Sequence, residues 1–299
     1  MSPKGNRMKT MIVHAALAAA LLGSTLAAAQ PAAVVEGVQM PAWVERTQAG
    51  KLERSPLAPG MELKAGDQLK TGPGSRLLVK LSEGSLVKLG ENGNMRVADL
   101  QPSKDLFRGA LAVLEGAFRF TTQKIGANRR RDINISVAQV TAGIRGTDLW
   151  GRSRSEKQIV CLIEGKIEVG AQGEAPVTMD QPLQFYQREK GQTAPVGFVD
   201  KKQLDEWARE TEIEAGKATL RTGGRFSVTL ASAESQADAL KVYDLVRDAG
   251  YAAQIRPVKQ GEKLVYVVRI ANLAGKAEAE AVAAQLKGKF GVADPKVSS

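Results

Sequence analysis

Between residues 60 and 196, apolar side chains recur at every second position, and short polar or glycine-containing turns separate the runs. Leu77, Val79 and Leu81 share one side of such a run, and Val87 and Leu89 resume the alternation after a turn at residues 82–85. A period of two is typical of half-buried antiparallel strands. The pattern therefore predicts an all-β domain, either a β-sandwich or a β-solenoid of short stacked strands.

Beyond Gly224 the apolar spacing alternates between the strand period and the helix period. A strand at 225–230 precedes a helix for which Ser235 is a capping start and Gly250 a stop signal. The remaining predicted elements are strands at 251–258 and 264–270, a helix with the stripe Ala279, Val282, Ala283 and Leu286, and a strand near 291–297. This order predicts an α+β domain, βαββαβ, in which two helices cover one face of a four-stranded antiparallel sheet and leave the other face open.

Asp200 is a suitable N-cap for a helix from Lys201 to about Ala215, in which Trp207 is expected to pack against the β domain. The Gly, Thr and Lys content of the following segment predicts a flexible tether. The predicted organisation is a signal peptide (1–29), a lead-in (30–59), the β domain (60–196), a connecting helix (197–215), a linker (216–223) and the C-terminal domain (224–299).

The first 29 residues have the features of a secretory signal peptide. Lys4, Arg7 and Lys9 precede an apolar stretch from Met11 to Leu26, and three alanines then provide a cleavage site near Ala29-Gln30. The alternative is an uncleaved anchor, but 16 residues are fewer than the roughly 20 that span a bilayer as a helix. We therefore expect a periplasmic protein with no membrane span after cleavage.

Loss of the three basic signal residues, with no acidic residue among the first 29, lowers the formal net charge from +10 to +7. A basic surface attracts anionic partners without specifying one. The only histidine, His14, is lost with the signal, and Cys161 is the only cysteine. A Ser-His-Asp triad, a Cys-His pair, a His-ligated zinc site and an internal disulfide are all excluded. We expect Cys161 to be a core residue, and we expect neither catalytic residues, nor a metal, nor a cofactor.

Four motifs in the first domain, in the same order, resemble the FecR domain of extracytoplasmic sensor proteins. LKAGDQLKTG at 63–72 is similar to its L-x-x-G-D-x-I-x-T-G opening, and LSEGS at 81–85 is similar to its L-x-D-G-S hairpin. GIRGT at 143–147 and LIEGKIEV at 162–169 match its two later elements. The resemblance covers residues 38–196 approximately and implies a ligand- or protein-binding module. We interpret the motif residues first as turn formers, with Asp67 and Thr71 bonded to turn backbone and Arg145 bracing a turn or contacting a ligand.

The last 75 residues resemble the SPOR (sporulation-related repeat) domain over residues 224–298. FSVTLAS at 226–232 matches its first strand, and YVVRIANL at 266–273 matches its third, with Val267 where the family often has arginine and Ala271 in place of a glycine. Members of this family bind peptidoglycan and favour glycan strands that lack stem peptides, as at division septa. The resemblance therefore implies that peptidoglycan glycan strands are the partner, with envelope or division proteins as further candidates.

Strand alternation predicts which residues of the C-terminal domain form the open face. The candidates are Arg225, Ser227, Thr229, Gln254, Arg256, Val267 and Arg269, together with Ser232 at the end of the first-strand motif. Hydroxyl, amide and guanidinium donors suit the hydroxyl and acetamido groups of sugars, at about 0.5–1.5 kcal/mol per hydrogen bond. The alternative is a solvated sheet face, and the predicted face has no Trp or Tyr on which a sugar ring could stack.

Together, the resemblances favour a non-catalytic envelope adaptor, in which the C-terminal domain holds wall glycan while the β domain binds a protein or ligand. Three other functions are alternatives to it. The FecR resemblance favours a sensor related to sigma-factor regulators, although no cytoplasmic anti-sigma segment precedes the β domain. Wall cleavage needs only two carboxylates, but no pair stands out. RNA-recognition modules stack bases on aromatics of the central strands, which this sheet lacks, so no nucleic-acid partner is expected. The basic run Arg129-Arg130-Arg131 is interpreted as a solvated turn or a contact for anionic envelope polymers.

Overall fold

The computed structural model of the chain describes residues 30–123, 130–144 and 146–299. The predicted signal peptide, Arg129 and Arg145 lie outside the described residues. From Pro31 to Ser299 the chain forms one compact unit that contains both predicted domains. Within the described ranges, no helix is long and apolar enough to cross a membrane.

The first domain is built from strands and ends in one helix. Its elements are β1 (Ala33–Gln39), β2 (Ala42–Gln48), β3 (Lys51–Pro56), β4 (Glu62–Leu63), β5 (Gln68–Thr71), β6 (Arg76–Leu81), β7 (Leu86–Leu89), β8 (Asn94–Pro102), β9 (Leu106–Thr121), β10 (Arg130–Val137), β11 (Val140–Ile144), β12 (Asp148–Arg154), β13 (Lys157–Glu164), β14 (Ile167–Ala171), β15 (Val177–Met179), β16 (Gln184–Glu189), β17 (Gln192–Thr193), β18 (Gly197–Phe198) and α1 (Lys201–Arg209).

The strands form a sandwich of two sheets that share β9. One sheet has the order β4-β1-β6-β7-β9-β12-β13-β16, and the other has the order β3-β2-β5-β8-β9-β10-β11-β14-β15. The pairings are antiparallel except for β9 with β10. The first part of β9 pairs with β8 and β10, and the part after Gly116 pairs with β7 and β12. Gly116 has φ +92°, and a Cβ there would lie 2.6 Å from Gly93 Cα, so the crossing between sheets requires glycine.

Inward side chains of both sheets form the core. Their fully buried members include Leu69, Leu77, Val87, Leu89, Met95, Val113, Phe118, Phe120, Ile133 and Ile135. Cys161 belongs to a second buried cluster with Trp150, and burial raises the pKa of its thiol to about 12. The prediction that Cys161 is a core residue is confirmed, and at neutral pH its thiol is protonated and unreactive.

Helix α1 packs on the β domain through aromatic rings. The ring of Trp207 stacks on buried Trp150 at a centroid distance of 4.7 Å and an interplanar angle of 10°, and Phe185 meets Trp207 edge-on at 6.4 Å. Asp200 caps the helix by accepting a hydrogen bond from the Gln203 amide at 2.8 Å, as predicted. The helix ends at Arg209 rather than near Ala215. Beyond it, Glu212 forms ion pairs with Lys88 and Arg119 of the β domain.

The C-terminal domain follows the predicted order. Its elements are β19 (Phe226–Ala233), α2 (Gln236–Asp248), β20 (Ala253–Gln260), β21 (Lys263–Leu273), α3 (Lys276–Leu286) and β22 (Lys296–Ser298). The sheet is antiparallel with the order β20-β21-β19-β22. Ser235 caps α2 by accepting from the Asp238 amide, and the predicted stripe of α3 is the buried face of that helix. Both helices contact the same sheet, so the predicted two-helix, four-stranded architecture is confirmed.

A hydrogen-bonded contact centred on Glu278 joins α3 to the β domain. Trp43 of β2 donates its indole N–H to Glu278 Oε1 at 2.8 Å, and Arg221 donates to the same oxygen at 2.5 Å. The Ala274 amide donates to Glu278 Oε2 at 2.9 Å. The guanidinium of Arg221 also lies 5.3 Å from the centroid of the Trp43 ring. One carboxylate therefore connects a strand of the first domain, the linker and a helix of the second domain.

A second contact lies at the end of α2. The Met40 amide donates to Gly250 O at 2.9 Å, and a Cβ on Gly250 would lie 1.7 Å from Val38 O. Gly250 was predicted as a helix stop because it tolerates a positive φ, which is +88° here. The structure gives it the additional role of allowing two backbones to touch.

Composition predicts that residues 216–223 are a flexible tether, but the segment is hydrogen-bonded on both sides. The Thr219 amide donates to Met40 O at 3.0 Å, and Gln39 of β1 donates to Lys217 O at 3.3 Å. From the other domain, Arg247 of α2 donates to Ala218 O at 2.8 Å and to Gly216 O. The partners Gln39, Met40 and Arg247 are distant from this segment in sequence, so its composition could not predict these hydrogen bonds.

We predict that Trp207→Ala lowers the free energy of unfolding by about 2 kcal/mol, because it removes the stacked ring and leaves a cavity above Trp150. Urea unfolding followed by far-ultraviolet circular dichroism measures the change. Phe198→Ala is the matched control, since Phe198 is 60% exposed and its loss should change stability by less than about 0.5 kcal/mol. Equal effects of the two substitutions would show that the stack does not hold α1.

A second prediction concerns Glu278 and pH. Burial alone would raise the pKa of Glu278, but hydrogen bonds from Trp43, Arg221 and the Ala274 amide outweigh burial and lower the pKa below its ordinary value of 4.5. Stability from this carboxylate is therefore present above about pH 4.5 and is lost as the pH falls through the lower pKa of the folded state.

Glu278→Gln should accordingly cost about 1 kcal/mol at pH 7, and the difference from the wild type should shrink as the pH falls toward 3.5. Urea midpoints measured across that range test this expectation. Glu280→Gln, on the same helix but with an exposed ion pair to Lys276, should leave the pH dependence of the wild type unchanged. A constant difference between the wild type and Glu278→Gln at every pH would contradict the prediction.

Candidate functional site

The open face of the C-terminal sheet is arranged in rows across the strands. In one row, Thr229 pairs with Arg269, and Arg269 pairs with Gln254. The adjacent row contains buried Val228 and Ile270, which pack toward the helices. Because side chains alternate between faces, Thr229, Arg269 and Gln254 lie on the face away from the helices.

A second row contains Ser232, Val267 and Arg256. Ser232 pairs with Val267, and Val267 pairs with Arg256. Strict alternation from Thr229 would turn Ser232 toward the helices. The register shifts between Thr229 and Ala231, and this β-bulge returns Ser232 to the open face. The structure therefore brings six of the eight predicted site residues together in two rows that are neighbours on the open face.

The other two predicted residues, Arg225 and Ser227, lie at the beginning of the first strand. Ser227 pairs with Ser298 of the last strand, and their hydroxyl oxygens are 2.9 Å apart. Arg225 precedes the strand, and its guanidinium carbon lies 6.0 Å from the centroid of the Phe226 ring.

Sequence reasoning missed Lys296 and Ser298. Lys296 pairs with Thr229 and so extends the first row to the order Lys296, Thr229, Arg269, Gln254. The strand predicted near 291–297 is confined to residues 296–298, and three residues are too few for an alternating pattern to show which side chains face outward. Its place beside β19 is given by the pairing of Val297 with buried Val228, two residues far apart in the chain.

The face is basic and carries no ring for stacking. The four strands, all of which lie in the described residues, contain no Asp or Glu. Tyr266 and Phe226 pack against the core, so neither ring is presented by the open face, as strand alternation indicates for Tyr266. Arg256 and Lys296 are exposed, and no ion pair joins them to another described residue. Chemically, the face can donate many hydrogen bonds and attract anions, but it cannot provide an aromatic platform.

In the first domain, the residues of the first FecR-like motif build turns. Asp67 is buried, accepts from Arg46 at 2.6 Å with both carboxylate oxygens, and accepts from the Lys64 amide at 2.8 Å. The hydrogen bond to Asp67 raises the pKa of Arg46. Thr71 donates to Gly90 O at 2.5 Å and accepts from the Gly93 amide at 2.7 Å. The prediction that Asp67 and Thr71 bond turn backbone is confirmed, whereas the partner Arg46 had no sequence signal.

A cleft of about 440 Å³ lies beside this motif and is lined by Arg46, Thr47, Gln48, Lys64, Ala65, Gly66 and Asp67. Arg46 and Asp67 form an ion pair with each other. The third charged residue of this lining, Lys64, has no ion pair with any described residue. The cleft has room for a small polar ligand.

The basic run of the first domain is not simply a solvated turn. Arg130 and Arg131 begin β10, and Arg131 forms an ion pair of 3.1 Å with Glu83, whose side chain is fully buried. Glu83 belongs to the LSEGS hairpin at 81–85. A buried carboxylate needs such a partner, so Arg131 has a structural role.

Comparison with known proteins identifies the two domains. Residues 67–168 match the family model described as FecR protein, and residues 222–293 match the model of the SPOR domain. No curated protein matches the chain significantly. Two crystal structures of a candidate anti-sigma factor from Parabacteroides distasonis are similar to it. They are 15% and 13% identical, cover 72% and 66% of this chain and 89% and 96% of their own chains, and have TM-scores of 0.40 and 0.39.

The family matches agree with the motifs, the sandwich and the βαββαβ sheet described above. FecR and SPOR domains are binding and regulatory modules. The chain therefore contains a FecR domain followed by a SPOR domain.

Proposed function

We propose that this protein is a non-catalytic component of the bacterial periplasm that binds the glycan strands of peptidoglycan through the open face of its SPOR sheet. The observation that carries the proposal is the face itself. It is a polar, basic surface, turned away from the helices, on a domain whose family binds peptidoglycan.

The FecR domain would contribute a second binding role. The FecR domain offers a polar cleft beside Asp67 and serves, in this proposal, as a module for a ligand or protein partner. Contacts through Glu278 and the linker join it to the SPOR domain, so a wall-bound SPOR domain would hold the FecR domain at the wall.

A second candidate function is extracytoplasmic sensing, which the FecR match at residues 67–168 favours. FecR domains belong to sigma-factor regulators, and here the domain would respond to a ligand outside the cytoplasm. Imaging of an exported fluorescent fusion in dividing cells separates the two functions. Bands at septa would favour glycan recognition, and a uniform rim would favour sensing or scaffolding.

The wall-binding proposal predicts that the chain from Gln30 onward co-sediments with purified peptidoglycan sacculi and releases no soluble wall fragments. Arg256→Ala combined with Arg269→Ala should weaken binding by tenfold or more, because roughly two charge-assisted hydrogen bonds are lost.

Lys259→Ala is the matched control, since Lys259 belongs to the same strand as Arg256 but alternates to the opposite side. It should bind like the wild type. Failure of the wild type to sediment, or equal binding by the double variant, would show that this face does not bind the wall. Release of soluble fragments would contradict the non-catalytic part of the proposal.

A further inference from the structure

Charge is divided unequally between the two sides of the SPOR domain. The four strands contain five cationic residues and no carboxylate, and the cations are Arg256, Lys259, Lys263, Arg269 and Lys296. The two helices contain acidic and basic residues together, and their exposed lysines have acidic neighbours, such as Lys241 with Asp238 and Lys276 with Glu280. The sheet therefore lacks the charge compensation that is present elsewhere in the same domain.

Three of these cations occupy the open face. Arg256, Arg269 and Lys296 make no ion pair or side-chain hydrogen bond with any residue in the described part of the chain. Lys263, by contrast, pairs with Glu234 at the end of the sheet. Arg269 is half-buried, and its Nε–H is shielded from solvent without an acceptor. A shielded donor without a partner costs free energy, so its retention points to an acceptor that is supplied by a ligand.

The three cations lie along an oblique line across the sheet. Lys296 and Arg269 share a row and are separated by two strand spacings, which is ~10 Å. Arg256 is the diagonal neighbour of Arg269, at about 7–8 Å between backbones. Their like charges repel one another at this spacing, and a partner with regularly placed anions relieves the repulsion. The length of a β-1,4-linked disaccharide is comparable with this spacing.

The absence of an aromatic ring from the described residues of the open face favours recognition of the ligand by charged groups. A neutral sugar chain is usually held by stacking on a ring together with neutral hydrogen bonds, and the open face presents no Trp, Tyr or Phe among its described residues. Neutral hydrogen bonds exposed to water contribute little individually. Cation–carboxylate hydrogen bonds are roughly twice as strong, and they supply the affinity that stacking does not.

We propose that this face recognises carboxylates on the glycan, and specifically the lactyl carboxylates of muramic acid that have been freed from peptide. This inference rests on the proposed function and adds the group that is recognised. In intact peptidoglycan the lactyl carboxyl group is joined to the peptide by an amide bond. Hydrolysis of that bond leaves a carboxylate on alternate sugars, so peptide removal creates the anions that Arg256, Arg269 and Lys296 bind.

The test compares three polymers with the same β-1,4 backbone, using the chain from Gln30 onward. The first is wall glycan from which the peptides have been removed enzymatically. The second is the same glycan after its carboxyl groups have been activated and reduced to alcohols, and the third is a chitin oligosaccharide, which has no lactyl group. We expect reduction to weaken binding about tenfold or more, and we expect chitin to bind no better than the reduced glycan.

Variants assign the effect to the face. Arg269→Gln should weaken binding to the unreduced, peptide-free glycan by about tenfold. It should leave binding to the reduced glycan unchanged, because the reduced polymer lacks the carboxylates that Arg269 binds. Lys259→Gln removes one charge from the opposite side of the sheet and should weaken neither. Circular dichroism of each variant verifies that the sheet is intact.

The outcomes separate this inference from the proposed function. Equal binding to the unreduced and the reduced peptide-free glycan would overturn carboxylate recognition but would still support glycan binding. Binding to neither polymer would overturn glycan binding itself. Equal weakening by Arg269→Gln and Lys259→Gln would show a general effect of net charge and would also overturn recognition by this face.

Discussion

The orientation of the proposed binding face depends on the carboxylate of Glu278. Its oxygens accept from Trp43 of the sandwich, from Arg221 of the linker and from the backbone at the start of α3. Through these hydrogen bonds, the helical side of the SPOR domain contacts the FecR domain. The sheet must then present its other face to the surroundings, and any partner of that face is held at a fixed place relative to the sandwich.

In the proposed function, the open face would recognise its partner by charge and hydrogen bonding rather than by stacking. Sheet alternation gathers Arg256 and Arg269, the bulge adds Ser232, and the terminal strand adds Lys296. The strands contain no carboxylate to neutralise these cations. A polymer with anions at regular intervals complements such a surface better than a neutral sugar chain does, and the interaction should weaken as salt screens it.

The FecR motifs identify the fold of the first domain but do not identify a ligand, because their residues have structural roles. Asp67 and Thr71 bond the backbone of turns, and Glu83 is buried against Arg131. Residues in these roles are demanded by chain geometry and by the cost of burying a charge. The polar cleft beside Asp67 is formed by the same turns, and its lining includes Lys64, which the motif does not specify.

The sequence by itself determined the all-β first domain, the βαββαβ order, the caps at Asp200 and Ser235, and most of the open face, because all of these follow from local periodicity and local hydrogen bonds. Only the tertiary structure decided that the β domain is a sandwich with β9 shared between sheets, and that the linker is bonded on both sides. It also decided that Lys296 joins the face and that Glu278 links the domains. These features depend on contacts between residues far apart in the chain, and no spacing pattern encodes such contacts.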